Sequence, residues 1–240
     1  MTYTVLGLCE RTGRLGVGIA TYSLAVGAKC PGVRSGVGAV TSQAFSNPRL
    51  ARLALNALAD GHTASSALAQ ALGSDDFPDH RQMAVLDRNG RGAAHSGNGI
   101  RPWFGHKVGK HCVALGNVLA GPEVVEAIAS AFGRSAGADL ADRLLLAIEA
   151  GRDAGGQRGG SGHLPERSAG LLVHHRDEHP EIDLRVDFHG EAVQELRRIY
   201  EEYKLYLPLY QIRATDPPKA PPQEVYVAEL EARRAAGRKP

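Results

Sequence analysis

The residue with the most chemical potential in this sequence is Thr2. Methionine ahead of a small residue is commonly removed in cells. Residues 2–9 alternate β-forming side chains, so loss of Met1 leaves a strand that opens on a free threonine. The threonine hydroxyl is a nucleophile, and its own α-amine, with an ordinary pKa of about 7.7–8.0, is the base nearest to it. The same residue also reads simply as a β-branched opening to a strand. Arg158 lies in a glycine-rich loop over residues 155–162 and Arg167 follows that loop; either guanidinium has the planar fork that holds a carboxylate. The loop lacks the lysine and residue order of a nucleotide P-loop. His174, His175, Asp177, Glu178 and His179 crowd together, but between two expected strands, where an exposed hairpin loop accounts for them. The histidines do not form the HExxH motif of a zinc-binding helix. Cys9, Cys30 and Cys112 are odd in number and far apart, which supports neither a zinc knuckle nor a disulfide framework. The expectation is a site without a metal or other cofactor.

The elements that must position these residues follow from periodicity. Residues 2–9 and 14–21 read as a hairpin around a turn at residues 10–13, and residues 36–43 as a third strand. Gly16 and Gly18 leave one face of the second strand bare, so either a packed layer or a ligand approaches the backbone there. Residues 22–35 read as a loop. Asn47-Pro48 signals a helix start, and Thr63 caps a second helix. Strands are expected over 82–87, 92–96 and 111–117, the first two joined by a turn containing Asn89-Gly90. Helices return over 122–132 and 138–150, followed by strands over 168–174 and 182–186. Residues 191–205 carry Val193, Leu196, Ile199, Tyr200 and Tyr203 at helical spacing. From residue 207 onward the chain is Pro-rich. Tyr200, Tyr203, Tyr206 and Tyr210 read as a packing stripe or a subunit contact. Strands come in hairpins and helices in pairs, which departs from strict βαβ alternation. The order suits two antiparallel sheets stacked face to face with a helical layer outside each: an α+β domain over residues 1–206 with a Pro-rich extension over 207–240.

Composition sets the outer limits. The chain has 240 residues, 43% hydrophobic and 22% charged, enough apolar material to bury a core. A formal net charge of +2 gives no global field to attract nucleic acid or anionic lipid. Aromatic residues are only 5%, too few for stacking platforms for bases. No apolar run approaches the roughly 18–20 residues that span a bilayer. The expected setting is a reducing cytoplasm, with a small-molecule substrate, no nucleic acid, no membrane and a homo-oligomeric, most simply dimeric, assembly.

The runs Thr2-Tyr3-Thr4-Val5, Gly16-Val17-Gly18-Ile19-Ala20, Ala25-Val26-Gly27 and residues 36–43 fall in a familiar order. So do Asn47-Pro48, Val85-Leu86-Asp87, residues 105–109 and residues 116–123. Over residues 2–186 the chain resembles the bacterial family known as domain of unknown function 1028, grouped by fold with the N-terminal-nucleophile (Ntn) hydrolases. The resemblance implies a four-layer αββα sandwich and hydrolysis of a small amide or related C–N bond. It implies Thr2 as nucleophile, with Ser23 after the second strand and the amides of Gln43 and Asn117 at strand ends as further catalytic groups. His106 and Ser168 align with substrate-side positions, joined there by Arg158 and Arg167. The alternative is a non-catalytic protein that binds a small molecule or cell-wall fragment in the same cleft. The chain departs from the family at Leu115-Gly116-Asn117, where members carry Gln-Gly-Asn, and at Gln157-Arg158-Gly159 and Arg167-Ser168.

Overall fold

The computed structural model describes residues 1–237, which divide into two compact units, Met1–Leu196 and the residues after it. In the first unit β1 (Thr2–Leu8) and β2 (Leu15–Thr21) form the expected hairpin. After them come β3 (Pro31–Arg34), β4 (Gly38–Ala44), α1 (Pro48–Ala59) and α2 (Ala64–Gly73). Both helices start as the sequence signals them. Asn47 accepts from the Arg49 N–H with Pro48 in the first turn, and Thr63 accepts from the Ser66 N–H. Then follow β5 (Arg81–Asp87), β6 (Gly92–Ser96), β7 (Phe104–Gly109) and β8 (Cys112–Asn117). The helices α3 (Pro122–Arg134) and α4 (Leu140–Asp153) lead into β9 (Gln157–Gly159) and β10 (Gly162–Leu164). The unit closes with β11 (Ser168–His174), β12 (Ile182–Val186) and the start of α5 (Ala192–Tyr203).

Two antiparallel sheets dominate this α+β unit. One has six strands in the order β12-β11-β2-β1-β8-β7, the other four in the order β3-β4-β5-β6. The sheets pack on each other through β1, β2 and β8 on one side and β3, β4 and β5 on the other. Side chains alternate along a strand, so each strand feeds two environments. Leu6, Leu8, Leu15, Val17, Ile19, Ala39, Ala84, Leu86, Val113 and Leu115 form the apolar filling between the sheets. The outer face of the four-stranded sheet, through Val40, Met83 and Val85, packs against α1 and α2. The α3–α4 pair lies against the six-stranded sheet. Gly16 and Gly18 admit α4. A Cβ on Gly16 would stand 2.8 Å from Leu144 Cδ1, and one on Gly18 would stand 3.0 Å from the Leu144 carbonyl oxygen. Of the two readings open from the sequence, a packed layer is the one found there.

Several elements differ from expectation, each for a physical reason. β7 carries exposed His106 and Lys107 at the sheet edge, so it has no apolar alternation to read. β3, within the expected loop, is also an edge strand and opens on Pro31, a position that gives up no ladder hydrogen bond. The glycine-rich stretch folds into the small β9–β10 hairpin. In the second unit the Pro-rich extension holds two helices, α6 (Leu207–Thr215) and α7 (Gln223–Ala235). Pro208 sits in the first turn of α6, where its missing N–H costs nothing. Ring contacts join Tyr206 to Tyr210 and Tyr226, and Tyr203 to Tyr210, as an internal packing cluster. Among the described residues no helix is long and apolar enough to cross a membrane.

Candidate active site

The alternation that fills the space between the sheets with leucine and valine changes character at one end. Continuing the same faces, β1 offers Thr4 and Thr2, β2 Thr21, β4 Thr41 and Gln43, β5 Gln82 and β8 Asn117, all of them buried. A buried amide or hydroxyl survives only with its hydrogen bonds made. Here they are made to each other. The Thr4 hydroxyl donates to Gln43 Oε1 at 2.6 Å across the two sheets. Gln43 Nε2 and Asn117 Nδ2 each donate to Gln82 Oε1 at 2.9 Å. Gln82 Nε2 in turn faces the Gly116 carbonyl at 2.8 Å, Ser96 Oγ at 2.9 Å and the Gly105 carbonyl at 3.2 Å. Gln82 is thus the hub of the network, and its amide is used at both ends.

The network meets the chain's N-terminus. Register places Thr2 opposite Asn117, and the Met1 α-amine donates to Asn117 Oδ1 at 2.6 Å. The amine's pKa is lowered from the ordinary 8.0 to about 6, first by burial and then by the nearby Arg101 charge. It is therefore largely unprotonated at neutral pH and able to accept a proton. The Thr2 hydroxyl lies 3.1 Å from that of Thr21 and donates to the Met1 carbonyl, which also accepts from Thr21. Burial pushes the nearby Cys30 thiol up to about 11, which leaves it protonated at neutral pH.

Beside the N-terminus opens a cleft of about 140 Å³ lined by Met1, Ser23, Ala44, Phe45, Ile100, Arg101, Asn117 and Val118. Two of these, Ala44 and Val118, hold left-handed backbone with φ of 67° and 56°. For the β-branched Val118 that conformation is costly, and such strain concentrates at functional sites. Each follows directly on a network residue, Gln43 or Asn117. Arg101 and Val118 also line a second cleft of about 450 Å³ with Pro102, Trp103, Leu119, Ala120, Arg158, Gly159 and Gly160. The two clefts are therefore neighbours that share a wall.

The residues singled out from the sequence are distributed as follows. Thr2, Gln43 and Asn117 stand on the inter-sheet face; Gln82 joins Gln43 to Asn117, and Thr2 reaches them through Met1, whose carbonyl accepts from Thr2 and whose amine donates to Asn117. Ser23 lines the N-terminal cleft, exposed at the end of β2. His106 stands at the edge strand with Nδ1 3.0 Å from Ser96 Oγ, one hydrogen bond removed from Gln82, and partial desolvation of its ring, with the nearby His95, lowers its pKa. Arg158 lines the second cleft. Arg167 lines neither; its guanidinium lies over the rings of Tyr22 and Phe188, 5.2 and 4.9 Å from their centroids. Ser168 is fully buried, donates to the Ser23 carbonyl and accepts from the Val26 N–H, so its hydroxyl is spent on fastening the loop after β2. Among the described residues no three His, Cys, Asp or Glu side chains gather as a metal site. Sequence reading missed Gln82, Arg101 and Gln157. Gln157 is buried, accepts from the Tyr22 N–H at 2.9 Å and faces Glu166. Gln82 did carry a signal, a polar residue on the core-facing parity of a strand; Arg101 carried none, since it lies in an irregular loop.

Comparisons with known proteins add the following. The model of the family described as "Family of unknown function (DUF1028)" matches residues 2–196. A crystal structure of a Silicibacter pomeroyi protein carrying the same family model is similar, at 28% identity and a TM-score of 0.76, over 84% of this chain and 88% of that one. The ancestral beta-subunit Anbu of Yersinia bercovieri aligns at 13% identity and a TM-score of 0.41, over 89% of this chain and 97% of that one. No curated protein matches.

Proposed function

This chain belongs to the DUF1028 family of unknown function, and from that premise we propose that it hydrolyses a small amide or related C–N bond with Thr2 as its N-terminal nucleophile. In this reading the two sheets and their flanking helix pairs are the four layers of an αββα sandwich of the Ntn-hydrolase type. The single observation that carries the reading is the N-terminus itself. The start of β1 opens beside a strained cleft, at the end of an amide network whose Asn117 Oδ1 receives the chain's terminal amine.

Removal of Met1 transfers the free α-amine to Thr2 and vacates the volume that Met1 occupies in the cleft lining. The Thr2 hydroxyl gives its proton to that amine as Oγ attacks the substrate carbonyl carbon. The Asn117 side chain stabilises the negative oxygen that develops, and Gln43 and Gln82 hold Asn117 in place. Collapse of the tetrahedral species breaks the C–N bond, and the protonated α-amine returns its proton to the leaving nitrogen. The acyl group is left as an ester on Thr2. Water, deprotonated by the same amine, then attacks the ester and frees the acid and the threonine.

One arrangement favours the second reading, a binding protein without turnover. While Met1 is present, it is Met1 rather than Thr2 that lines the cleft, and the Thr2 hydroxyl is engaged with Thr21 and the Met1 carbonyl. Intact mass and labelling separate the two. Protein from its native host should lack Met1, and a β-lactone electrophile should add its mass to the peptide that begins at Thr2. Thr2→Ala should abolish both labelling and turnover. Full activity in protein whose mass includes Met1 would sink the hydrolase reading.

A further inference from the structure

The neighbouring 450 Å³ cleft is of a size to hold a small molecule, and its lining has a clear chemical character. Pro102, Trp103, Val118, Leu119 and Ala120 supply apolar wall, and Arg101 and Arg158 supply two guanidinium groups. Neither this lining nor that of the N-terminal cleft contains an acidic side chain. Several cations in this protein are paired with a carboxylate, among them Arg14 with Glu181, Arg81 with Asp75, Lys107 with Glu126 and Arg234 with Glu202. Among the described residues, Arg101 and Arg158 have no carboxylate partner. They come from distant parts of the chain, the loop before β7 and the β9–β10 hairpin. The hairpin is fastened beside β8 by the Arg158 N–H, which donates to the Val118 carbonyl at 2.9 Å. An isolated, partnerless arginine on a surface is common. Two of them facing one apolar cleft that adjoins a nucleophile's cleft form a receptor for an anion.

We infer that Arg101 and Arg158 bind the carboxylate of the substrate, so that the substrate class is a small amide bearing a carboxylate, such as an N-acylated amino acid. The inference rests on the proposed reading in taking both clefts to serve one molecule, with the amide at the N-terminal cleft and the carboxylate in its neighbour. A guanidinium fork matches the two oxygens of a carboxylate and binds them in a planar, bidentate way. A phosphate dianion would demand more donors than a cleft walled mainly by apolar side chains offers. Arg101 lines both clefts and its charge reaches the α-amine, so it is the residue that couples recognition to the reacting end.

The protein carries a built-in reporter, because its one tryptophan is Trp103, in the wall of this cleft. Indole fluorescence of the full chain is titrated with N-acetylalanine, with its neutral analogue N-acetylalaninamide and with inorganic phosphate. N-acetylalanine should give a saturable change, and the neutral amide should bind at least about tenfold more weakly. Arg101→Ala and Arg158→Ala should each weaken N-acetylalanine binding on the order of 10-fold or more, as expected for loss of a charge-assisted hydrogen bond. Both side chains are exposed, and urea unfolding of each variant checks that the fold is retained. Equal binding of the acid and the amide, or indifference to both substitutions, would overturn the assignment. Arginine-dependent binding of phosphate without binding of N-acetylalanine would overturn the choice of carboxylate. The same titration on Thr2→Ala keeps the two proposals separate. Binding retained there in a protein that never turns over would leave the anion site standing and remove the hydrolase. Turnover of neutral amides alone would do the reverse.

Discussion

Replacing Gln82 by methionine isolates the worth of the amide network. Methionine keeps the length and nearly the volume of the side chain, so no large cavity opens between the sheets. What disappears is a hub. Asn117 Nδ2 and Gln43 Nε2 both lose the oxygen that they reach at 2.9 Å, in a place fully shielded from water. An orphaned buried donor costs roughly 1–3 kcal/mol, so two of them cost about 2–6 kcal/mol. A domain of ordinary stability has only about 5–15 kcal/mol to lose. Urea unfolding followed by Trp103 fluorescence measures the loss, with an unchanged m-value as the sign that the native state is otherwise intact. The double variant makes the test specific. With Asn117→Ala in place one donor is already gone, so Gln82→Met should then cost less by about 1–3 kcal/mol. Additive effects, or a Gln82→Met penalty below about 1 kcal/mol, would refute the account of Gln82 as the group that satisfies both amides.

In protein that retains Met1, the folded amine pKa of about 6 lies below the ordinary 8.0, so the unfolded chain binds the extra proton between those values. Stability is then full above about pH 8, falls by about 3 kcal/mol as pH drops to 6, and levels off below that. N-terminal acetylation should remove this pH dependence from urea unfolding curves, and a slope that survives acetylation would place its origin elsewhere. Gly16→Ala drives a Cβ to 2.8 Å from both Leu144 Cδ1 and the Leu172 carbonyl oxygen, an overpacking that should lower stability by about 1–3 kcal/mol in thermal unfolding. An unchanged Tm in Gly16→Ala would mean that α4 is free to withdraw from the sheet.

The sequence by itself settled the elements whose side chains repeat. The apolar alternation of β1 and β2, the Asn47 and Thr63 caps and the Asn-Gly turn before β6 were all legible, because each is a local preference of a few neighbouring residues. β7 and β3 were not, since an edge strand is defined by the neighbour it pairs with and exposes the rest of its surface to water. The two glycines of β2 announced a close approach but not the visitor, which only the packing of α4 supplied. At the site, Thr2 could be singled out by its type and place at the head of a strand. Its surroundings could not. Gln82 is 35 residues from Asn117 and 39 from Gln43, and nothing local marks the three as partners. They meet because two sheets stack with their polar ends in register, which is a property of the assembled core. Ser168 shows the converse: its place in the sequence suggested a ligand contact, and the tertiary structure spends its hydroxyl on a loop. A side chain's type fixes what bonds it can make, but which atoms arrive to make them is decided by the burial that brings distant strands together.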